Sequence, residues 1–301
     1  GLLDGPPTLT GSHIDTVATG GRYDGNLGVL AGIEMIETLV ENDVSTRYPV
    51  GVAFFTDEEG ARFPPDMLGS LVYVGGLALE QALEVEGIDG AILGEELDRI
   101  GYRGAAPCPG IPPRAFIELH IEQGPLLEDE GITIGTVTGV QGISWTEYSI
   151  KGQSNHAGTT PMHLRHDAGY VAARIATEAR DITERMGGRQ VATVGRMQFQ
   201  PDLVNVVARE AQLTVDLRNT DESLLVNAEN QMKSCISSLE ESEGVTIDSR
   251  SLARFEPVVF DTEVVDIISE TCSQLGHSSM TMPSGAGHDA QMLARVCPTG
   301  M

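Results

Sequence analysis

The run TLTGSHIDTVATGGRYDGNLGV, residues 8–29, sets His13, Asp15 and Asp24 in one Gly-rich stretch between two apolar segments. An imidazole and two carboxylates this close together read either as a polar loop with a helix-capping Asp or as a metal site. His13 and Asp15 are two apart, which on a strand puts both side chains on one face. A metal-bound His needs its second ring nitrogen held by a carboxylate or a carbonyl, and Asp15 is placed to do that. Asp24 stands at the start of a helical pattern, where capping alone is the simpler role; beside His13-x-Asp15 the metal role gains weight. TDEEGARF brings Asp57, Glu58 and Glu59 to the end of an apolar run. Neighbouring carboxylates point in different directions, so one can hold a metal while the other stays free as a general base. In ELHIEQG, His120 has Glu118 and Glu122 on the same strand face and is a further candidate ligand. A lone strand His is more often a core residue, so His120 draws its weight from the others.

These groups need elements to hold them. DGNLGVLAGIEMIETLVEND spaces Leu27, Leu30, Ile33, Ile36 and Val40 as the apolar stripe of an amphipathic helix beginning just after Asp24. YPVGVAFF (48–55) and RAFIELHIEQG (114–124) read as buried strands running into polar residues. Three strands that each end in His, Asp or Glu fit the rule that open α/β sheets bind ligands at their strands' carboxyl ends. From residue 144 the pattern changes: strand SWTEYSIKG, a helix over 165–186, two or three strands, a helix over 221–241 and the strand VTIDSRSL. That β-α-β-β-α-β order is the ferredoxin-like pattern. It predicts an α/β fold with a second domain at 138–255 inserted into a first domain made of 1–137 and 256–301. TEVVDIISETCSQLG then reads as a helix, and MPSGAGHDAQMLARV as a Gly-rich loop opening another.

Composition narrows the partners. A net charge of −25 disfavours nucleic acid and anionic membranes, and no apolar run is long enough for a transmembrane helix. Of 19 basic residues only Lys151 and Lys233 are lysine. Abundant acids with almost no lysine resemble protein surfaces adapted to a high-salt cytoplasm. Cys108, Cys235, Cys272 and Cys297 are far apart and form no CxxC pair, which fits a reducing cytoplasm. GLLDGPPTLTG and RVCPTGM read as the ends of a clipped chain.

Taken in order, GSHIDTV…GGRYDG, TDEEGARF, ELHIEQG, SNHAGTTPM and SGAGHDAQ resemble the signature segments of the N-carbamoyl-L-amino-acid hydrolases and allantoate amidohydrolases. This is the carbamoylase branch of the di-zinc aminoacylases and exopeptidases. The resemblance implies a mixed-sheet di-metal hydrolase domain, with the inserted domain serving as lid and homodimer contact. It implies Asp24 as a carboxylate bridging two divalent metals, His13 and His120 at one of them, Glu59 at the other, and Glu58 as the base. Zinc is the default; manganese, cobalt or nickel also suit such N/O ligands. It further implies a last His ligand in a segment after VCPTGM, so within these 301 residues the second metal site lacks one ligand. His288 matches a different segment and is not that ligand. Gln123, His156, Asn205 and Arg218 are implied as substrate contacts, Arg218 offering a fork for a carboxylate and His156 an oxyanion donor. By composition alone Arg218 is a surface ion-pair residue. The expected activity is hydrolysis of a linear ureido or carbamoyl C–N bond with release of ammonia. An aminoacylase or dipeptidase of the same superfamily, or a non-catalytic ligand-binding homologue, are the other readings.

Overall fold

A computed structural model describes all 301 residues. The chain divides into two compact units, Gly1–Val140 with Val259–Met301, and Gln141–Val258.

The first unit opens with β1 (Thr8–His13), α1 (Asn26–Glu41) and β2 (Val50–Phe55). Short helices α2 (Leu68–Tyr73), α3 (Leu79–Leu83) and α4 (Leu93–Ile100) lead to β3 (Ala115–Ile117), α5 (Leu126–Glu130) and β4 (Ile134–Val140). After the second unit the chain resumes with β9 (Val258–Val259), α8 (Thr262–Gln274), β10 (Ser279–Ser284), α9 (Asp289–Leu293) and β11 (Thr299–Gly300). One sheet has the order β11-β3-β1-β2, and a second has the order β10-β4-β9. In the first, β1 runs parallel to β2 and β3, and β11 runs parallel to β3. All four strands therefore deliver their carboxyl ends to one edge, the property that makes this edge a ligand site.

Helix α1 departs from the expected apolar stripe. It buries Gly28, Val29 and Gly32 and leaves Leu30, Ile33 and Val40 exposed. The reason is close packing: a Cβ on Gly28 would lie 2.3 Å from the Leu119 carbonyl oxygen just past β3, and one on Gly32 would lie 2.9 Å from the Val52 side chain of β2. A glycine face lets the helix approach where a leucine face cannot. The strand expected over 114–124 is also shorter. β3 ends at Ile117, so His120 and Glu122 lie beyond it, and the Glu122 carboxylate accepts hydrogen bonds from Leu126 and Leu127 at the start of α5.

The second unit consists of β5 (Gly142–Lys151), α6 (Ala168–Met186), β6 (Val191–Gln200), β7 (Glu210–Asn219), α7 (Glu222–Glu243) and β8 (Thr246–Phe255). Its sheet has the order β6-β7-β5-β8, every neighbouring pair antiparallel. Alternation along β7 turns Ala211, Leu213, Val215 and Leu217 inward, onto Ala172, Ile175 and Ile182 of α6 and Leu225 and Met232 of α7. The helix starts are capped by side chains: Asp167 accepts from the Gly169 and Tyr170 amides, and Asp221 from the Leu224 amide. The stretch 203–209, which reads as strand from sequence, forms only an isolated bridge, His156 with Val206.

Candidate metal centre

β1, β2 and β3 each end in groups that meet at the sheet edge. His13 closes β1; Asp57, Glu58 and Glu59 follow β2; Glu118 and His120 follow β3. Asp24 precedes α1 but does not cap it. The cap position is Gly25, with no side-chain hydrogen bond, and the Asp24 carboxylate turns the other way. Its Oδ2 accepts from Gln123 Nε2 at 2.9 Å, while Oδ1 is buried with no hydrogen-bond partner. That Oδ1 lies 3.3 Å from His120 Nε2 and 3.9 Å from His13 Nε2. Gly25 is obligatory there: its φ is +66°, and a Cβ would sit 2.5 Å from the His13 ring.

Hydrogen-bond accounting fixes how the imidazoles face. His13 Nδ1 bonds the Asp15 carbonyl oxygen at 3.0 Å, and His120 Nδ1 bonds the Ile121 carbonyl oxygen at 2.9 Å. A carbonyl only accepts, so in the neutral rings Nδ1 carries the hydrogen and each Nε2 presents a lone pair, that of His120 also accepting from the Gly25 amide at 3.3 Å. Both lone pairs point at carboxylate oxygens, with Glu58 Oε2 at 3.5 Å from His13 Nε2. Lone pair against anion is repulsive unless a cation or a proton lies between. Asp15 thus holds His13 with its carbonyl from beyond the end of β1, rather than as a strand neighbour on the same face. Its carboxylate has a second task, accepting from the Glu58 and Glu59 amides at 3.1 Å each.

The acids around these rings are buried and crowd one another. Burial, followed by the charges of Asp289, Glu118, Glu59 and Asp15, pushes the Glu58 carboxyl up to about 10. Burial and Asp15 push Asp57 up to about 7. Burial and Asp24 raise Glu59, whose Oε1 is buried without a partner. Burial lowers His120, keeping it neutral. Asp57 and Gln123 both adopt positive φ, +58° and +55°, strain that residues with a Cβ sustain where the surrounding structure demands it. Three ligand groups result, His13 with Asp24 and His120, His13 with Glu58 and Glu59, and Glu118 with His120 and His288, the ligand atoms of each within 4.8 Å of one another. Mixed imidazole and carboxylate donors of this kind fit divalent transition metals, zinc among them.

Three neighbours carry no site role in the sequence reading. His288 is 2% exposed, its ring centroid 4.5 Å from that of His120; its Nε2 meets Ser284 Oγ at 2.8 Å, and its Nδ1 has no partner. Asp289 is fully buried with both carboxylate oxygens unpartnered, and Glu118 is buried between β1 and α9. The acidic and imidazole residues of GAGHDA are the available signal. A cavity of about 130 Å³ is lined by His13, Asp24, Glu58, Glu59, His120 and Gln123, among others.

In the second unit, His156 and Asn205 lie on adjoining segments, tied by the Ala157 amide to the Asn205 carbonyl at 2.9 Å. His156 Nδ1 accepts from the Gly158 amide at 3.1 Å, which leaves its Nε2–H as a donor. Arg218 ends β7 with its guanidinium forked onto the Asp216 carboxylate at 2.9–3.1 Å and stacked 5.8 Å over the Trp145 ring.

A parallel sheet with buried imidazoles and acids at its carboxyl edge, interrupted by a helix-backed antiparallel unit, describes a hydrolase fold, and the chain belongs to peptidase family M20/M25/M40, whose model matches residues 9–301. Among relatives, it is 39% identical to an N-carbamoyl-L-amino-acid amidohydrolase of Rhizobium meliloti, over 99% of this chain and 72% of that protein. It is 35% identical to the allantoate amidohydrolase of Escherichia coli, over 97% of this chain and 72% of that protein. Among solved structures, a hydantoinase/carbamoylase family amidase from Burkholderia multivorans superposes with a TM-score of 0.96 at 41% identity, over 99% of this chain and 72% of that one.

Proposed function

We propose that this protein is a metal-dependent amidohydrolase that cleaves the linear C–N bond of a ureido or carbamoyl group, in an N-carbamoyl-L-amino acid or allantoate, and releases ammonia. The observation that carries the reading is the pair of unprotonated imidazole nitrogens, His13 Nε2 and His120 Nε2, facing the unpartnered oxygen of Asp24. The names of the relatives support the substrate class. His13, Asp24, His120 and Glu59 would hold divalent cations, zinc by default, which when bound would supply Lewis acidity toward the ureido carbonyl and the attacking water.

Glu58 is the base in this reading. It takes the proton as the water oxygen bonds to the ureido carbon, and delivers it to the nitrogen that departs when the C–N bond breaks. Asp15 holds the 58–59 backbone so that Glu58 faces the site. Gln123 orients Asp24 through its amide, a task beside the substrate contact expected of it. In the second unit, read as a ferredoxin-like module with lid and dimerisation roles, His156 Nε2–H serves as oxyanion donor, Asn205 as a further contact and Arg218 as the carboxylate fork. We assign the protein to the cytoplasm, in keeping with its four free cysteines, and no helix is long and apolar enough to cross a membrane.

An ammonia-release screen on metal-loaded protein tests this, using N-carbamoyl-L-amino acids, allantoate, N-acetyl amino acids and dipeptides. Turnover of ureido acids, lost when the carboxylate is converted to an amide, is the expected result. Activity confined to N-acetyl amino acids or dipeptides selects an aminoacylase or dipeptidase. Metal uptake with no turnover of any of them selects a ligand-binding homologue.

A further inference from the structure

Glu118 lies where three ligand-bearing segments meet. It is 1% exposed, and its Oε1 accepts from Ser12 Oγ at 2.6 Å while its Oε2 accepts from the Ala290 amide at 2.8 Å. Its own amide donates to the Gly300 carbonyl at 3.1 Å, binding the same point to β11. Ser12 directly precedes His13, Glu118 stands two residues before His120, and Ala290 two residues after His288. Each of the three site histidines is therefore within two residues of an atom bonded to this one side chain or of the side chain itself. Both contacts are short, the geometry of strong, charge-assisted hydrogen bonds. Neither carboxylate oxygen is left without a partner, in contrast to Asp24 and Glu59.

We propose that Glu118 is a positioning residue of the metal centre, fixing the His13, His120 and His288 segments relative to one another rather than binding a cation itself. The proposal rests on the reading of His13 and His120 as cation ligands. Outer partners that orient metal-binding side chains are worth about 10–100-fold in metal affinity. A neutral glutamine can reproduce this clamp, because its carbonyl accepts from the Ala290 amide and its NH2 donates to Ser12 Oγ. A geometric role and a ligand role thus predict different outcomes for Glu118→Gln.

The test is calorimetric titration of the metal-stripped full chain with Zn2+, alongside melting curves of the metal-free proteins. Glu118→Ala should bind Zn2+ about 10–100-fold more weakly than wild type, with Glu118→Gln restored to within a few-fold. Ser12→Ala, which breaks one arm without opening a cavity at Glu118, should lose several-fold. Glu118→Gln as damaged as Glu118→Ala would make Glu118 a ligand and overturn the proposal. Wild-type affinity in Glu118→Ala, with only its metal-free melting temperature lowered, would reduce Glu118 to a structural role. If Glu118→Ala does not fold, wild-type affinity in Ser12→Ala overturns the proposal instead. A wild type that takes up no Zn2+ removes the metal reading and this proposal together.

Discussion

The two units treat their buried and half-buried acids in opposite ways. In the antiparallel unit several such acids, Glu147 the most buried among them, have an arginine. Arg196 and Arg250 converge on Glu147, Arg254 binds Glu222 and Glu229, and Arg218 binds Asp216. At the carboxyl edge of the parallel sheet, Asp24, Asp57, Glu58, Glu59, Glu118 and Asp289 gather around imidazoles. The ion-paired arginines of that unit, Arg62, Arg99 and Arg103, lie elsewhere, on Asp89, Glu96 and Asp98. Hydrogen bonds to arginine hold the Glu147 carboxyl below its ordinary range, whereas burial drives Glu58 to about 10. An acid paired by a guanidinium is finished chemically. An acid left facing lone pairs and other acids is stable only if something positive arrives, and that is how a fold keeps a place for a cation.

The sharpest way to break this contrast is Glu58→Gln. If Glu58 is the one acid of the edge that moves a proton, turnover of the ureido acid should fall by roughly 10²–10⁴-fold, with metal content nearly unchanged. Elemental analysis beside the kinetics decides it. Loss of metal together with activity would make Glu58 a ligand, as its grouping with His13 and Glu59 allows, and the roles of Glu58 and Glu59 would exchange.

How far the sequence foretells this edge depends on what each residue contacts. His13, Asp24, Glu58, Glu59 and His120 are legible because they stand where apolar runs stop, and strand ends in parallel sheets converge. Glu118 and Asp289 are not. Both sit inside segments that read as strand or helix, and their significance lies in partners 106 and 172 residues away for Glu118 alone. The face of α1 misleads for a related reason. Hydrophobic periodicity counts leucines and isoleucines, but here Gly28 and Gly32 make the close approach. In the antiparallel unit, strict alternation and capping aspartates make the order of elements readable, while β4, β10 and the two-residue strands β9 and β11 leave little pattern.

A second test turns on pH in the absence of metal. Asp57 and Glu118 are raised to about 7 and Glu58 to about 10, each first by burial. A carboxyl whose folded pKa exceeds its unfolded value stabilises the fold fully below the unfolded value, near 4, and loses that contribution as pH climbs through the folded one. The metal-stripped protein should therefore melt several degrees lower at pH 9 than at pH 5.5, since a folded pKa one pH unit above the unfolded one is worth about 1.4 kcal/mol. Glu147 works with the opposite sign: its lowered carboxyl stabilises above its ordinary range and loses that contribution only in acid. Saturating Zn2+ should flatten the alkaline loss, because bound cation favours the ionised acids. A metal-free melting temperature that rises from pH 5.5 to 9 would contradict the account of the edge.

The smallest effect separates these buried acids from the ones on the surface. With 44 acidic against 19 basic residues, exposed carboxylates repel one another over distances that salt shortens, from about 10 Å at 0.1 M to about 3 Å at 1 M. We read this composition as suited to high salt, and molar potassium chloride should then raise the melting temperature by a few degrees. Buried groups are screened much less, so the same salt should leave the metal-free difference between pH 5.5 and pH 9 largely in place. A melting temperature that is flat or falling between low salt and molar potassium chloride would remove the high-salt reading. Salt that abolished the pH difference would show instead that the acids at the sheet edge are open to solvent ions, and that their repulsion belongs to the surface.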